Sequence, residues 1–251
     1  MNAELKEKLR KLADKYEVSS FCDADPSQFL RWYEPEAGRG TVADVEAASF
    51  IAAMLAFGNR KQFIPKICEV LQTADRSLGS ISEWLKTGAY VKDFPKGITK
   101  FYRFYSYDDM QIFFGELAEI LKRADSLGGF FEAQYTAVHN LSDIIASAFP
   151  NSAIVPKGRT SANKRVHMFL RWMVRRSSPV DLGLWKWADP SSLIIPLDTH
   201  VMQEAAKLGL IPEKAAASRK TAELLTSALS EVFPGDPCRG DFALFGVGVD
   251  K

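Results

Sequence analysis

The sequence predicts an all-α protein. Apolar residues recur at helical spacing along most of the chain, as Leu5, Leu9 and Leu12 do within residues 4–17. The apolar run SLIIPL (192–197) is short, isolated and interrupted by a proline, which argues against a sheet. No internal repeat and no low-complexity tract is present, so we expect about a dozen helices.

Caps and apolar spacing place these helices along the chain. Thr41 with Asp44 three residues later predicts a capping box, and the helix that it opens is apolar almost all round, which predicts a central position in the core. Asp236 followed by Pro237 predicts the start of the last helix. The predicted helices are 4–17, 42–57, 61–72, 80–87, 109–123, 128–138, 141–148, 164–176, 199–208, 218–233 and 237–246.

Composition restricts the class of protein. The chain has 32 Lys and Arg against 31 Asp and Glu, so any case for nucleic-acid binding must rest on local patches. The three cysteines, Cys22, Cys68 and Cys238, form neither a disulfide framework nor a C-x-x-C metal site. This pattern favours a location in the reducing cytoplasm. The first 17 residues predict an amphipathic helix and no signal peptide, and no apolar run approaches the ~20 residues of a membrane helix.

One local patch stands out in residues 144–180, which contain no Asp or Glu. A glycine-bearing turn there precedes a helix whose apolar spacing predicts one buried stripe, with the basic residues exposed on its flanks. Backbone N–H groups at a helix start and nearby cations together suit a phosphate, although a solvated basic face is the plain alternative. The seven cations are Lys157, Arg159, Lys164, Arg165, Arg171, Arg175 and Arg176.

Lys164 and Asp198 are the candidate reactive residues. Cations at a helix N-terminus are electrostatically unfavourable, and a partly desolvated lysine in such a place suits an amine nucleophile. Asp198 follows an apolar run and precedes a predicted helix, so it is either a simple N-cap or a carboxylate held for chemistry. The two roles are compatible, and in the second one the carboxylate would accept the lysine's proton.

These motifs resemble a known superfamily. IIPLDTHV (194–201) is similar to the aspartate segment of the helix–hairpin–helix DNA glycosylases, where the residue matching Asp198 is essential. The bifunctional members carry a lysine at the start of the helix after the hairpin, which Lys164 matches by position. KRVHMFLRWMVR, DLGLW and LIIPLDTHV together resemble a bacterial family of unassigned function within that superfamily, over most of the chain.

The resemblance implies the two-lobed helix–hairpin–helix glycosylase fold, with an active-site cleft between the lobes. One expected lobe is a helical bundle over residues 42–180 that includes the hairpin at about 155–176, and the other combines residues 1–41 with 190–251. Lys164 and Asp198 would face each other across the cleft, because the connector 185–196 would cross from one lobe to the other.

The chain also departs from the superfamily. It has VPKGRTSANK where the usual hairpin has L-P-G-V-G-x-K. The interval from Lys164 to Asp198 is nearer to that of the archaeal oxidised-guanine glycosylases, which points to oxidised purines. Cys238 stands alone near the C-terminus, so no iron–sulfur cluster is expected, and neither is another cofactor or a metal.

The implied function is base-excision repair by a monomer in the cytoplasm, at the nucleoid. Lys164 would attack C1′ of the sugar of a damaged base in double-stranded DNA, and the resulting Schiff base would allow an associated lyase reaction. Asp198 would accept the lysine proton or stabilise the developing positive charge. The residues expected to contact DNA are Lys157, Gly158, Arg159, Arg165 and His200, with Asn59 or Arg60 as a wedge.

Several alternatives remain open. A mono-functional glycosylase would use water activated by Asp198. A non-catalytic protein would bind DNA and leave lesions intact, and a helical interaction protein would present its basic face to an acidic partner. His167 is expected to serve in packing. The aromatic run from Phe101 to Tyr107 could stack on an extruded base, but packing in the core is the favoured interpretation.

Overall fold

Helices dominate the chain, as predicted. The computed structural model describes residues 1–135 and 140–249. In chain order the described elements are α1 (Ala3–Tyr16), α2 (Val42–Leu55), α3 (Arg60–Leu78), α4 (Ile81–Lys86), α5 (Tyr90–Asp93), β1 (Lys100–Tyr102), β2 (Tyr105–Ser106), α6 (Tyr107–Arg123), α7 (Leu127–Glu132), α8 (Leu141–Ser147), α9 (Lys164–Val174), α10 (Thr199–Lys207), α11 (Arg219–Ser230) and α12 (Arg239–Val249). Short 3-10 helices occupy Ser19–Ala24, Pro26–Arg31, Pro35–Ala37 and Pro190–Ser192.

The chain divides into two compact units. The central unit is Asp25–Pro156, and the terminal unit combines Met1–Ala24 with Lys157–Lys251. This division differs from the expected lobes, because the structure groups residues 157–180 and the connector 185–196 with the two ends of the chain. The reason is visible on α9, whose arginines pair with acidic residues from both ends of the chain.

The central unit is built around α2. Every residue from Ala43 to Leu55 is buried, as the all-round apolar sequence predicted. The predicted capping box of Thr41 and Asp44 is confirmed, and Asp44 also accepts hydrogen bonds from the Ser80 hydroxyl at 2.6 Å and the Ser82 N–H at 2.8 Å. One carboxylate therefore fixes the starts of both α2 and α4.

The sequence did not predict α5 or the antiparallel β1–β2 hairpin. Within that hairpin Phe101, Tyr102 and Tyr105 are buried, which confirms core packing for these three aromatic residues, whereas Phe104 is 58% exposed. The predicted helix 128–138 corresponds to α7, which ends at Glu132, and residues 136–138 of the prediction lie outside the described residues.

The terminal unit packs α1 and α10 against α12. Its core includes the apolar run before Asp198, in which Ile195 is fully buried and donates its backbone N–H to the Thr226 hydroxyl of α11 at 3.0 Å. Helix α12 begins at Arg239, two residues after the predicted first position at Pro237. None of the described helices is long and apolar enough to cross a membrane.

Candidate active site

Lys164 and Asp198 form an ion pair. Lys164 is the first residue of α9, Asp198 is the N-cap of α10, and the Lys164 Nζ lies 2.8 Å from the Asp198 Oδ2. Their side chains are 35% and 20% exposed, so the pair is sheltered but accessible. Both residues belong to the terminal unit, so the pair forms within that unit, whereas it had been expected to form across a cleft between two lobes.

The two oxygens of the Asp198 carboxylate have different roles. Oδ1 accepts the Val201 N–H at 2.9 Å and so caps α10, while Oδ2 receives the lysine. Before Asp198, the buried Leu197 and Ile195 anchor the backbone in the core. Capping and anchoring together hold one carboxylate oxygen facing the amine, so the capping role of Asp198 leaves its other oxygen available to Lys164.

The surroundings keep Asp198 ionised. Burial by itself raises the pKa of this carboxyl, but the Lys164 ammonium, its hydrogen bond, the Val201 N–H and the nearby His200 outweigh burial and lower the pKa below its ordinary value. His200 is exposed in the first turn of α10. Asp198 is therefore a fixed negative charge at neutral pH.

Arg171 and Asp241 adjoin this pair. Arg171 lies seven residues after Lys164, and hence two turns along the same face of α9. Its guanidinium pairs with Asp241 of α12 and, at 3.2 Å, with Asp181. Burial raises the pKa of Asp241 to about 6, Arg171 opposes that rise, and the charges of Asp198 and Lys164 also act on it. A buried charge network therefore extends inward from the candidate active site.

The basic helix is less exposed than the sequence suggested. The apolar stripe of α9 is buried as predicted, but Arg171 and Arg175 are also buried, at 3% and 1% exposure. Arg175 pairs with Asp181, with Asp236 at 2.7 Å and with Glu17 at 2.7 Å. The expectation of a basic outer face was wrong for these two residues, because their acidic partners lie outside residues 144–180 in the sequence.

The basic turn, residues 157–163, keeps its exposed cations. Lys157, Gly158 and Arg159 are exposed. Asn163, with φ at +42°, donates from its side-chain amide to the Gly158 carbonyl at 2.8 Å and closes the turn, and Arg219 donates its N–H to the Thr160 carbonyl at 2.9 Å. The turn is therefore fastened to the start of α11.

The start of α9 suits an anion. The Asn163 side chain does not cap the helix, and no acidic residue occupies the first turn. Arg165, the second residue of α9, is half-buried. A helix N-terminus without an acidic cap and flanked by exposed cations attracts negative charge.

The remaining predicted residues lie elsewhere. His167 is 2% exposed, as expected for a packing histidine. Asn59 and Arg60 belong to the central unit. Asn59 is exposed and caps α3 by accepting the Lys61 N–H at 2.9 Å, and the Arg60 guanidinium lies 3.9 Å from the Asp25 carboxylate.

Asp241 was missed as a site residue, and Arg171 was misplaced among surface cations. Helical spacing from Lys164 could have identified Arg171, since a separation of seven residues places both on one face. Nothing local marks Asp241, which is close only in space. The described residues contain no group of three or more His, Cys, Asp or Glu that could hold a metal ion.

Comparison with known proteins identifies the family. The chain belongs to the DUF2400 family, described as proteins of unknown function, whose profile matches residues 25–250 and so includes both Lys164 and Asp198. No curated protein and no solved structure matches the chain.

Proposed function

We propose that the chain is a bifunctional DNA glycosylase of the two-lobed helix–hairpin–helix type, acting as a monomer on duplex DNA that carries a damaged base. The observation that carries the proposal is the ion pair of Lys164 and Asp198, two residues 34 positions apart in sequence whose side chains lie 2.8 Å apart. An amine and a carboxylate held together at two helix starts are the groups that this chemistry needs.

The reaction follows from the atoms of the pair. Lys164 transfers one proton to solvent and its Nζ attacks C1′ of the sugar, so that the C1′–Nζ bond forms as the glycosidic bond breaks; the base departs with the bonding electrons and takes up a proton from solvent. Ring opening then breaks the C1′–O4′ bond, a proton passes from the attached nitrogen to O4′, and a protonated Schiff base between C1′ and Nζ results. Loss of a proton from C2′ then expels the 3′ phosphate, which is the lyase step.

The electrostatics favour one of the two roles considered for Asp198. Because its pKa is lowered, the carboxylate is a weak proton acceptor and a persistent negative charge. Such a charge stabilises the positive charge that develops on the sugar as the base leaves. We therefore assign Asp198 to charge stabilisation and to orienting the Lys164 amine.

In this proposal the basic turn binds the DNA backbone. Lys157 and Arg159 would contact backbone phosphates, Gly158 would allow close approach of the chain, and Arg165 would strengthen the field at the start of α9. His200 would contact DNA next to Asp198, and Asn59 or Arg60 would act as the wedge. Oxidised purines are the proposed lesions, because the interval from Lys164 to Asp198 resembles that of the archaeal oxidised-guanine glycosylases.

Borohydride trapping tests the proposal. Wild-type protein is incubated with duplexes that carry an oxidised guanine, an oxidised pyrimidine, uracil or an abasic site, and the covalent adduct is resolved by denaturing electrophoresis. Lys164→Gln removes the nucleophile, and Asp198→Asn removes the charge while keeping a capping side chain. Lys220→Gln, an exposed lysine on α11, is the matched control.

The outcomes separate the alternatives. An adduct on one lesion that is lost in Lys164→Gln and kept in Lys220→Gln supports a bifunctional glycosylase. Base release without an adduct would replace it with a mono-functional enzyme that uses water. Salt-dependent DNA binding without base release would indicate a non-catalytic DNA-binding protein, and the absence of any response to DNA would favour a protein-interaction role.

A further inference from the structure

The tip of the β1–β2 hairpin exposes an aromatic ring. Arg103 and Phe104 are the two residues between the strands, and both are exposed, whereas their neighbours Tyr102 and Tyr105 are buried. Phe104 is 58% exposed although its ring contacts the buried Tyr105 ring, with the two centroids 4.6 Å apart. The part of the Phe104 ring that does not contact Tyr105 is therefore open to solvent and available to a partner.

The hairpin tip packs on the turn between α2 and α3. The Phe57 ring lies 5.3 Å from the Phe104 ring and 5.6 Å from the Arg103 guanidinium, and the Tyr102 hydroxyl donates to the Phe57 carbonyl. A Cβ added at Gly58 would collide with the Arg103 guanidinium. These five residues, Phe57, Gly58, Tyr102, Arg103 and Phe104, form one surface, which we name the hairpin-tip surface.

The backbone at the tip is held in an unfavourable conformation. Arg103 has φ at +51°, a region that two-residue hairpin turns usually fill with glycine or asparagine. The Lys100 ammonium donates to the Phe104 carbonyl at 2.9 Å and so secures the turn. Backbone strain of this kind clusters at ligand-binding sites, and here it holds a long cation beside an exposed ring.

The two chain segments that form the hairpin-tip surface carry cations and no carboxylates. Residues 56–68 and 94–106 contain no Asp or Glu. Of their cations, Arg60 lies near Asp25 and Lys66 pairs with Glu69 at 2.7 Å. The exposed cations of the two segments are Lys61, Lys96, Lys100 and Arg103. An exposed ring surrounded by cations complements a phosphate backbone whose bases are available for stacking.

We propose that the hairpin-tip surface binds DNA at an unpaired base, with Phe104 stacking on the base and Arg103 and its neighbouring cations contacting the phosphates. In intact duplex every base is already stacked on its neighbours, so the ring gains a partner only where pairing is interrupted. The protein therefore prefers DNA with an unpaired base whether or not a lesion is present. This property does not depend on chemistry at Lys164.

Fluorescence anisotropy with lesion-free DNA tests this proposal. The dissociation constant of the full chain is measured for an intact duplex and for the same duplex with one unpaired base. The wild type binds the interrupted duplex more tightly. Phe104→Ala reduces that preference by about fivefold to a hundredfold, which is the range for loss of one base–aromatic stack, and leaves affinity for the intact duplex unchanged.

Further variants isolate the aromatic face. Phe104→Tyr retains the ring and keeps the preference, whereas Phe104→Leu retains only an apolar side chain and loses it. Leu224→Ala on α11 removes a comparably exposed apolar side chain and changes nothing. A fluorescent adenine analogue at the unpaired position is quenched on binding by the wild type and remains bright with Phe104→Leu.

Three results would overturn the proposal. The first is equal affinity of the wild type for the two duplexes, or no binding to either. The second is an undiminished preference in Phe104→Leu, which would mean apolar insertion without stacking. The third is concentration-dependent self-association, measured by light scattering, that disappears in Phe104→Ala and would make the tip a contact between copies of the chain. Because no lesion is present, a lack of base excision affects none of these results.

Discussion

Arg171 of α9 and Asp241 of α12 form an ion pair in which the two side chains are only 4% and 8% exposed. The same guanidinium pairs with the fully buried carboxylate of Asp181. Asp241 is also within electrostatic reach of Lys164 and Asp198. This ion pair therefore links the buried charges of the terminal unit to the pair of Lys164 and Asp198.

The first prediction concerns the pH dependence of Asp241. Its pKa of about 6 in the folded protein lies above the ordinary value of 3.8, so its ionisation costs stability as pH rises from about 4 to 6. Asp241→Asn cannot ionise. We expect the free energy of unfolding of the variant, relative to wild type, to improve by up to about 3 kcal/mol over that interval.

Urea denaturation at several pH values between 4 and 7 measures this difference. The exposed Asp125→Asn variant is the control, and its stability should follow that of the wild type. A difference between Asp241→Asn and wild type that does not change with pH would contradict the assignment.

The second prediction is that Arg171 is required for stability as well as for the site. Arg171→Met leaves Asp181 and Asp241 buried without their shared cation, which should lower the free energy of unfolding by about 3–5 kcal/mol. Arg10→Met, an arginine on α1 whose side chain is 48% exposed, should change it little. Chemical denaturation compares the two, and equal small effects would show that the buried network is dispensable.

The third prediction separates the two roles of Asp198. Asp198→Ala loses the cap on α10 and should lower the free energy of unfolding by about 1 kcal/mol. Asp198→Asn keeps a capping oxygen, so its loss of the cap should lower the free energy of unfolding by less. Both variants should lose base release, since both lose the charge. Thermal melts and single-turnover excision measure the two effects. Activity retained in Asp198→Asn would restrict the residue to capping.

The lowered pKa of Asp198 also predicts a pH effect. A carboxylate whose pKa falls on folding contributes stability above its unfolded value of 3.8, and that contribution is lost as pH falls through the folded pKa. The stability difference between wild type and Asp198→Asn should therefore be constant at neutral pH and shrink below about pH 4. Denaturation in acidic buffers measures this difference. If the ion pair were unimportant, burial alone would raise the pKa of Asp198, and the difference would grow as pH falls.

The fourth prediction concerns phosphate contacts. If Arg159 in the basic turn contacts a phosphate, Arg159→Ala should weaken DNA binding evenly across sequences and reduce the slope of log affinity against log salt by about one. Lys214→Ala, an exposed cation outside the turn, should leave the slope unchanged. Salt titrations by anisotropy measure both, and identical slopes would remove the turn from the DNA interface.

The fifth prediction tests a polar contact in the central unit. The Trp32 indole donates to Asp75 at 2.8 Å, and the Tyr33 hydroxyl donates to its other oxygen. Burial raises the pKa of Tyr33, and Asp75 raises it further, so the phenol remains a donor. Asp75→Ala leaves both donors unpaired and should lower stability by about 1–3 kcal/mol, whereas Asp125→Ala should be neutral. Denaturation midpoints report the difference.

Local sequence signals predicted much of this structure. Caps and periodicity located α2 with its capping box, and an apolar run before an acidic residue located Asp198 at a helix start. The burial of Arg171 and Arg175 could not be predicted in this way, because the nearby Asp181 is joined by partners from distant segments such as Glu17 and Asp241. The β1–β2 hairpin was missed because its aromatic run carries no glycine or asparagine turn signal, and Arg103 adopts the positive φ in their place.

The terminal unit is assembled from the first and last parts of the chain, and this affects its biosynthesis. Helix α1 precedes α12, against which it packs, by more than 200 residues, so it is synthesised well before that partner. Until then α1 lacks this partner, and closing the contact requires the intervening chain to loop back. A translation product that stops before Asp198 lacks the carboxylate, so the amine–carboxylate pair can assemble only after most of the chain has been made.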